Sequence, residues 1–204
     1  MTTEGSAEAS SRRAAAVAGH LGDASTARSL AAHDDESVRA TAFGALARLG
    51  SLTDTDLASI LADTSAEVRR RSAEWVIQQK MPATVAHKHL IVLMTDRDAM
   101  CVETACWAIG ELTPPEAEST AAVIRATEHT DPLVREAAVA ALGAVGDQAG
   151  LEAILRCTTD KPAIRRRAIL ALAPFEGNEV EAALRIATQD RDWQVRQAAE
   201  DLLA

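Results

Sequence analysis

Apolar residues recur along this chain at helical spacing, three or four apart, and the pattern returns in phase six times. Each time an acidic or polar turn leads into an aliphatic residue, usually an arginine, and then small and apolar side chains. The copies read DESVRATAFGALARL from Asp35, SAEVRRRSAEWVIQQ from Ser65, DAMCVETACWAIGEL from Asp98, DPLVREAAVAALGAV from Asp131, KPAIRRRAILALAPF from Lys161 and DWQVRQAAEDLLA from Asp192. Their first aliphatic positions are Val38, Val68, Cys101, Val134, Ile164 and Val195, so consecutive copies stand 30, 33, 33, 30 and 31 residues apart. A period of that size held over most of a chain predicts an α-solenoid, in which each repeat buries its apolar face against its neighbours.

The pattern predicts two helices per unit. First helices are expected over about 24–32, 54–62, 82–94, 115–127, 148–157 and 178–188, with Pro82 and Pro115 in first turns, where a missing N–H is tolerated. Second helices carry the recurrent phrase; in the fourth copy Asp131 is placed to cap and Pro132 to open the helix. With the aliphatic residue as position 0, positions 4, 7, 8 and 11 share its face at about 100° per residue and form the core. Alanines at positions 4 and 7 imply closely approaching helices. Residues 1–10 are small, polar and without period, and are expected to be a disordered tail; 11–204 reads as one repeat domain, opened by an N-terminal capping helix from Ser11.

Composition sharpens this. The 204 residues are 48% hydrophobic but only 2% aromatic, which suits closely packed helices and not a sheet. No apolar run reaches the roughly 20 residues that cross a bilayer, and the N-terminus has no apolar signal core. Cys101, Cys106 and Cys157 form no CxxC pair and fit small apolar residues of a reduced, cytoplasmic protein. A net charge of −9 argues against nucleic acid as partner. The basic residues are 18 arginines and three lysines, a bias that points to a GC-rich coding sequence.

The acidic turn, Val-Arg, spaced alanines and terminal Leu-Gly resemble the HEAT repeat, in particular the short bacterial form called the PBS-lyase HEAT-like repeat. The resemblance covers nearly everything after residue 20. It implies a right-handed superhelix of about six helix pairs. It also implies a hydrogen-bonded ladder between repeats, with Arg39, Arg69, Arg135, Arg165 and Arg196 as donors and Asp35, Asp98, Asp131 and Asp192 as acidic partners. Val102 stands in the arginine column of repeat three, and Ser65 and Lys161 in the acidic column of repeats two and five, although Asp63 and Asp160 lie close by. The ladder is expected to break there.

The resemblance further implies that second helices line a concave surface. Positions 2, 6 and 10 then face a partner. The stripe brings forward Trp107 with Glu103 and Glu111, flanked by Arg70 and Glu74 and by Arg166, with Arg71 and Arg167 beside it. Tryptophan and arginine dominate interface hot spots. Trp75, at position 7, belongs to the core, and Trp193 is expected to cover the C-terminal end of the stack. The arginine triplets fan over some 200° and read as solvated or locally paired.

Among enzymes with such repeats, deoxyhypusine hydroxylase relies on His-Glu pairs, and this chain has no His-Glu dipeptide. The five histidines are scattered, His87 and His89 point to different sides of a helix, and no phosphate loop or nucleophile and base pair occurs. The expected function is therefore a non-enzymatic scaffold, without cofactor, that binds a protein or peptide. The alternatives are a nucleic-acid module like the HEAT-like alkylpurine DNA glycosylases, or a phycobilin-lyase-like protein. A monomer, or a homodimer through the apolar C-terminal face, is expected.

Overall fold

The computed structural model describes residues 3–204, with side chains from residue 7 onward. The described residues form helices and no strand. The chain divides into two compact units, one through His89 and one from Leu90 to Ala204, where the sequence suggested a single domain.

The first unit holds α1 (Thr3–Leu21), α2 (Ala24–Leu30), α3 (Glu36–Arg48), α4 (Asp54–Leu61), α5 (Ala66–Gln78) and most of α6 (Ala83–Leu93). The second holds α7 (Ala99–Glu111), α8 (Ala117–Ala126), α9 (Pro132–Val145), α10 (Leu151–Cys157) after a single 3₁₀ turn, α11 (Pro162–Ala171), α12 (Asn178–Ala187) and α13 (Trp193–Leu203). Helix α1 is already formed at Thr3, so no break marks residue 10; an alanine-rich segment with Glu8 ahead of Arg12 favours helix over tail. Residues 1 and 2 lie outside the described residues. Pro82 and Pro115 stand just ahead of α6 and α8 and not inside their first turns.

The core face is the expected one at positions 0, 4, 7 and 8, whereas position 11, Leu49 at the end of α3 and Val145 in α9, is only half-buried. In α9, Val134, Ala138, Ala141 and Leu142 are buried, and Val38, Ala42, Ala45 and Leu46 repeat the arrangement in α3. The close approach implied by the alanines has a sharper form. A Cβ placed on Gly143 would lie 2.7 Å from both the Cα and the Cβ of Ala171, and one on Gly110 would lie 3.2 Å from the Cα of Ala141. Glycine at position 9 of one second helix thus receives alanine at position 7 of the next. In the first unit a Cβ on Gly19 of α1 would lie 2.8 Å from the Cβ of Ala45. Trp75 also occupies position 7; it is buried, packs on Phe43 at 6.0 Å between ring centroids, and is accommodated by Gly44.

Arginine rungs join successive turns, but their acidic partners are not those expected. Asp35, Asp98, Asp131 and Asp192 are N-caps, accepting from the backbone N–H of Val38, Met100, Leu133 and Gln194. The rungs run from Arg39 to Asp63, from Arg135 to Asp160 and from Arg165 to Asp190, each a bidentate pair with donor distances of 2.7–2.9 Å. Each arginine also donates to carbonyls of its own turn, as Arg135 does to His129 and Thr130. Arg196 donates to the Asp190 carbonyl. Ser65 and Lys161 therefore interrupt nothing, because Asp63 and Asp160 are themselves the partners.

The column that supplies the rung partners Asp63, Asp160 and Asp190 reads, through the repeats, His33, Asp63, Asp96, His129, Asp160 and Asp190. Its members also receive a backbone N–H just downstream: Ser65 on Asp63, Asp98 on Asp96, Asp192 on Asp190, and, through histidine Nδ1, Asp35 on His33 and Asp131 on His129. Histidine does the turn-closing work of aspartate without its charge. It stands where the rung column of the preceding repeat holds no arginine: Val102 precedes His129, and Ser11 precedes His33 when Leu21-Gly22 is aligned with Leu49-Gly50.

The electrostatics follow. Hydrogen bonds from Arg135 hold the Asp160 carboxyl below its ordinary range, and Arg165 does the same for Asp190. At Asp63, burial works upward, but the bonds from Arg39 and the Ser65 N–H outweigh it. His89 in the first unit is buried, with Nε2 2.7 Å from the Ser72 hydroxyl, and burial pushes its pKa down to about 4.

Two outcomes are expected. Gly143→Ala, which stabilises an ordinary helix by about 0.5–1 kcal/mol, should instead cost about 1–3 kcal/mol through overpacking on Ala171; a raised thermal midpoint would contradict the close approach. In acid, unfolded His89 takes up a proton near 6.5 and the folded form only near 4, so stability should be complete above pH 6.5 and fall as pH drops toward 4. The rung aspartates add a separate loss below their ordinary 3.8. Urea unfolding of His89→Gln across this range should lose the slope between pH 6.5 and 4 and keep the lower one; an unchanged upper slope would sink the assignment to His89.

Candidate functional site: a groove on the second unit

In the second unit, helices α7 and α9 carry a groove of about 540 Å³ with one residue of α11 at its side. Its lining comes from one face of each helix. Positions −1, 2, 3, 6 and 10 fall within an arc of about 100° at helical pitch. On α7 they are Met100, Glu103, Trp107 and Glu111, joined by Gly110; on α9 they are Leu133, Glu136, Ala137, Ala140 and Ala144, joined by Ala141; α11 adds Arg167 at position 3. The floor is made of small residues because Gly110 and Ala141 hold the two helices close.

Three large apolar side chains stand open here. Trp107 is 44% exposed, Met100 46% and Leu133 55%. The −1 column that holds Met100 and Leu133 is elsewhere polar or small, reading Ser37, Glu67, Met100, Leu133, Ala163 and Gln194, while the position of Trp107 reads Gly44, Glu74, Trp107, Ala140, Leu170 and Asp201. Around them the charge is mainly negative. Glu136 meets Arg167 at 3.7 Å, a long and partly solvated pair worth little. Among the described residues no cation pairs with Glu103 or Glu111; the Glu103 carboxylate accepts from the Thr104 hydroxyl at 3.1 Å.

Of the residues singled out from sequence, Trp107, Glu103, Glu111 and Arg167 come together. Arg166 is exposed on α11 and does not line the groove. Arg70, Arg71 and Glu74 lie on α5 in the first unit, where Arg70 bonds Glu67 at 2.8 Å and approaches Glu74 at 3.6 Å, and the Arg71 guanidinium sits 5.5 Å from the Trp75 ring centre. Both triplets have their first member tied into turns, Arg69 on the Asp63 and Thr64 carbonyls and Arg165 on Asp190. Trp193, expected to cover an end, is 64% exposed at the start of α13.

Sequence reasoning missed Met100 and Leu133. Their signal was present, since the −1 column turns apolar in those two copies alone apart from Ala163, but the phrase was read from position 0 onward.

His87 and His89, expected on different sides of α6, are both buried. The Cys106 thiol is pushed up to about 12 by burial, in contact with Met94 sulfur at 3.6 Å, and Cys101 and Cys157 are buried too. Among the described residues no group of three His, Cys, Asp or Glu side chains is placed to hold a metal ion, and no helix is long and apolar enough to cross a membrane.

Comparison with known proteins places the fold. A family profile for HEAT repeats matches residues 87–173 and again 123–204, together more than half of the chain. No curated protein matches it. Among solved structures, a designed armadillo repeat protein in complex with the peptide (KR)4 is similar with a TM-score of 0.65 and 17% identity, over 88% of this chain and 97% of that one. An engineered protein from a structural genomics consortium gives 0.60 and 21%, over 89% and 97%. Human deoxyhypusine hydroxylase in complex with glycerol gives 0.50 and 17%, over 95% and 77%. Helix pairs, capped turns, position-9 glycines and the profile match lead to one statement: the chain belongs to the HEAT repeat family and has an all-α repeat-solenoid fold.

Proposed function

We propose that this protein is a binding scaffold that holds a protein or peptide partner in the groove between α7 and α9. The observation that carries the reading is the joint exposure of Trp107, Met100 and Leu133 around a floor of alanines; the positions equivalent to Met100 and Leu133 in the other repeats are polar or small. Exposed apolar side chains gathered in one concavity gain free energy when covered, at about 25 cal/mol per Å² removed from water. A tryptophan among them supplies the rigid anchor that interface hot spots favour.

The similar designed armadillo protein is described in complex with a peptide, which agrees with use of this fold class for peptide recognition. A nucleic-acid role finds no support in the groove, where Glu103, Glu111 and Glu136 outnumber Arg167 and would repel phosphate. The three buried cysteines suit a reducing compartment, in keeping with a cytoplasmic scaffold.

Selection from an unbiased displayed peptide library tests the reading. Peptides should be enriched whose affinity falls at least about tenfold on Trp107→Ala, and comparably on Leu133→Ser, with helicity and thermal midpoint retained. Failure to enrich any peptide, or affinities indifferent to both substitutions, would remove the groove as binding site.

A further inference from the structure

The charge around the groove says what kind of segment fits it. Resting on the reading of this groove as the binding surface, we infer that its occupant is a cationic amphipathic protein segment, with lysines or arginines flanking one or two large apolar side chains.

On α7, Glu103, Trp107 and Glu111 are spaced four residues apart, so they form a line along one face, with the Cα positions of the two glutamates about 12 Å apart along the axis at a rise of 1.5 Å per residue. The apolar anchor thus sits midway between two negative charges. Among the described residues neither charge is neutralised by a cation. Across the floor, Glu136 is occupied only by the 3.7 Å contact with Arg167, and both side chains of that pair remain substantially exposed.

Covering this groove with a purely apolar segment would strip water from Glu103 and Glu111 without giving them a partner, a cost that offsets part of the gain from Trp107 and Leu133. An acidic segment would add repulsion. A segment that places its apolar side chain on Trp107 and a cation within reach of each glutamate covers the tryptophan and pairs both carboxylates. A spacing of about 12 Å corresponds to about eight residues of a helix or four of an extended strand, so one short segment spans it.

Three labelled peptides with the same apolar residues and Lys, Gln or Glu at the flanking positions provide the test, by fluorescence anisotropy at low and high salt. The Lys peptide should bind at least about tenfold tighter than the Gln peptide at ~50 mM salt, and most of that advantage should vanish by ~0.5 M as charges are screened. Glu103→Gln with Glu111→Gln should abolish the advantage while leaving the Gln peptide unaffected, and Trp107→Ala should weaken every peptide that binds. Equal or tighter binding of the Gln or Glu peptide, still sensitive to Trp107→Ala, overturns the cationic inference and leaves the groove reading standing. Lys-peptide binding indifferent to Trp107→Ala, or no binding by any of the three, overturns the inference; in the first case the groove reading fails with it.

Discussion

The second unit is organised by how closely its second helices approach. Gly110 admits Ala141 and Gly143 admits Ala171 at distances that leave no room for a larger side chain. Two consequences follow from the same contact. On one side the aliphatic columns of α7, α9 and α11 interlock into a core from which water is excluded. On the other, helices this close can floor a groove only with small residues, so Ala137, Ala140 and Ala144 leave space that Trp107, Met100 and Leu133 border but do not fill. The groove is therefore a consequence of tight stacking, bordered by a few large side chains.

The arginine rungs are a second layer, and they are discontinuous in an ordered way. Arginine and aspartate are lost together: Val102 replaces the donor and His129 the acceptor, which spares each the cost of a buried charge without a partner. Histidine keeps the hydrogen bond that shapes the turn. Between α7 and α9 the union consequently rests on apolar and small-residue packing, and it is there that the groove lies.

Much of the fold was legible because its signals are local. Asp131 caps and Pro132 opens α9 as the chain order required, and the apolar period located the helices to within a few residues. The rung partners were misplaced because two acidic columns lie two residues apart, and spacing alone does not say which carboxylate caps its own helix and which reaches to another repeat. Asp35 and Asp63 differ only in that geometry. The division after His89 left no composition shift to read. Within the site, Trp107 and its glutamates stood out as departures from the repeat, whereas Met100 and Leu133 did so only in a column preceding the recurrent phrase. Arg166 and Arg167 are adjacent in sequence but separated by about 100° of helix, and only the second reaches the groove.

On the proposed reading, exposed apolar side chains of this groove, and not exposed apolar side chains in general, meet the partner. Leu21 and Ile186 are more exposed than Met100 or Leu133, so they serve as internal controls. Methyl NMR spectra recorded while a peptide selected by the protein is titrated in would decide the matter. Shifts should concentrate at the methyl groups of Met100 and Leu133, with Leu21 and Ile186 unmoved. Shifts at Leu21 or Ile186 while Met100 and Leu133 stay in place would contradict that reading.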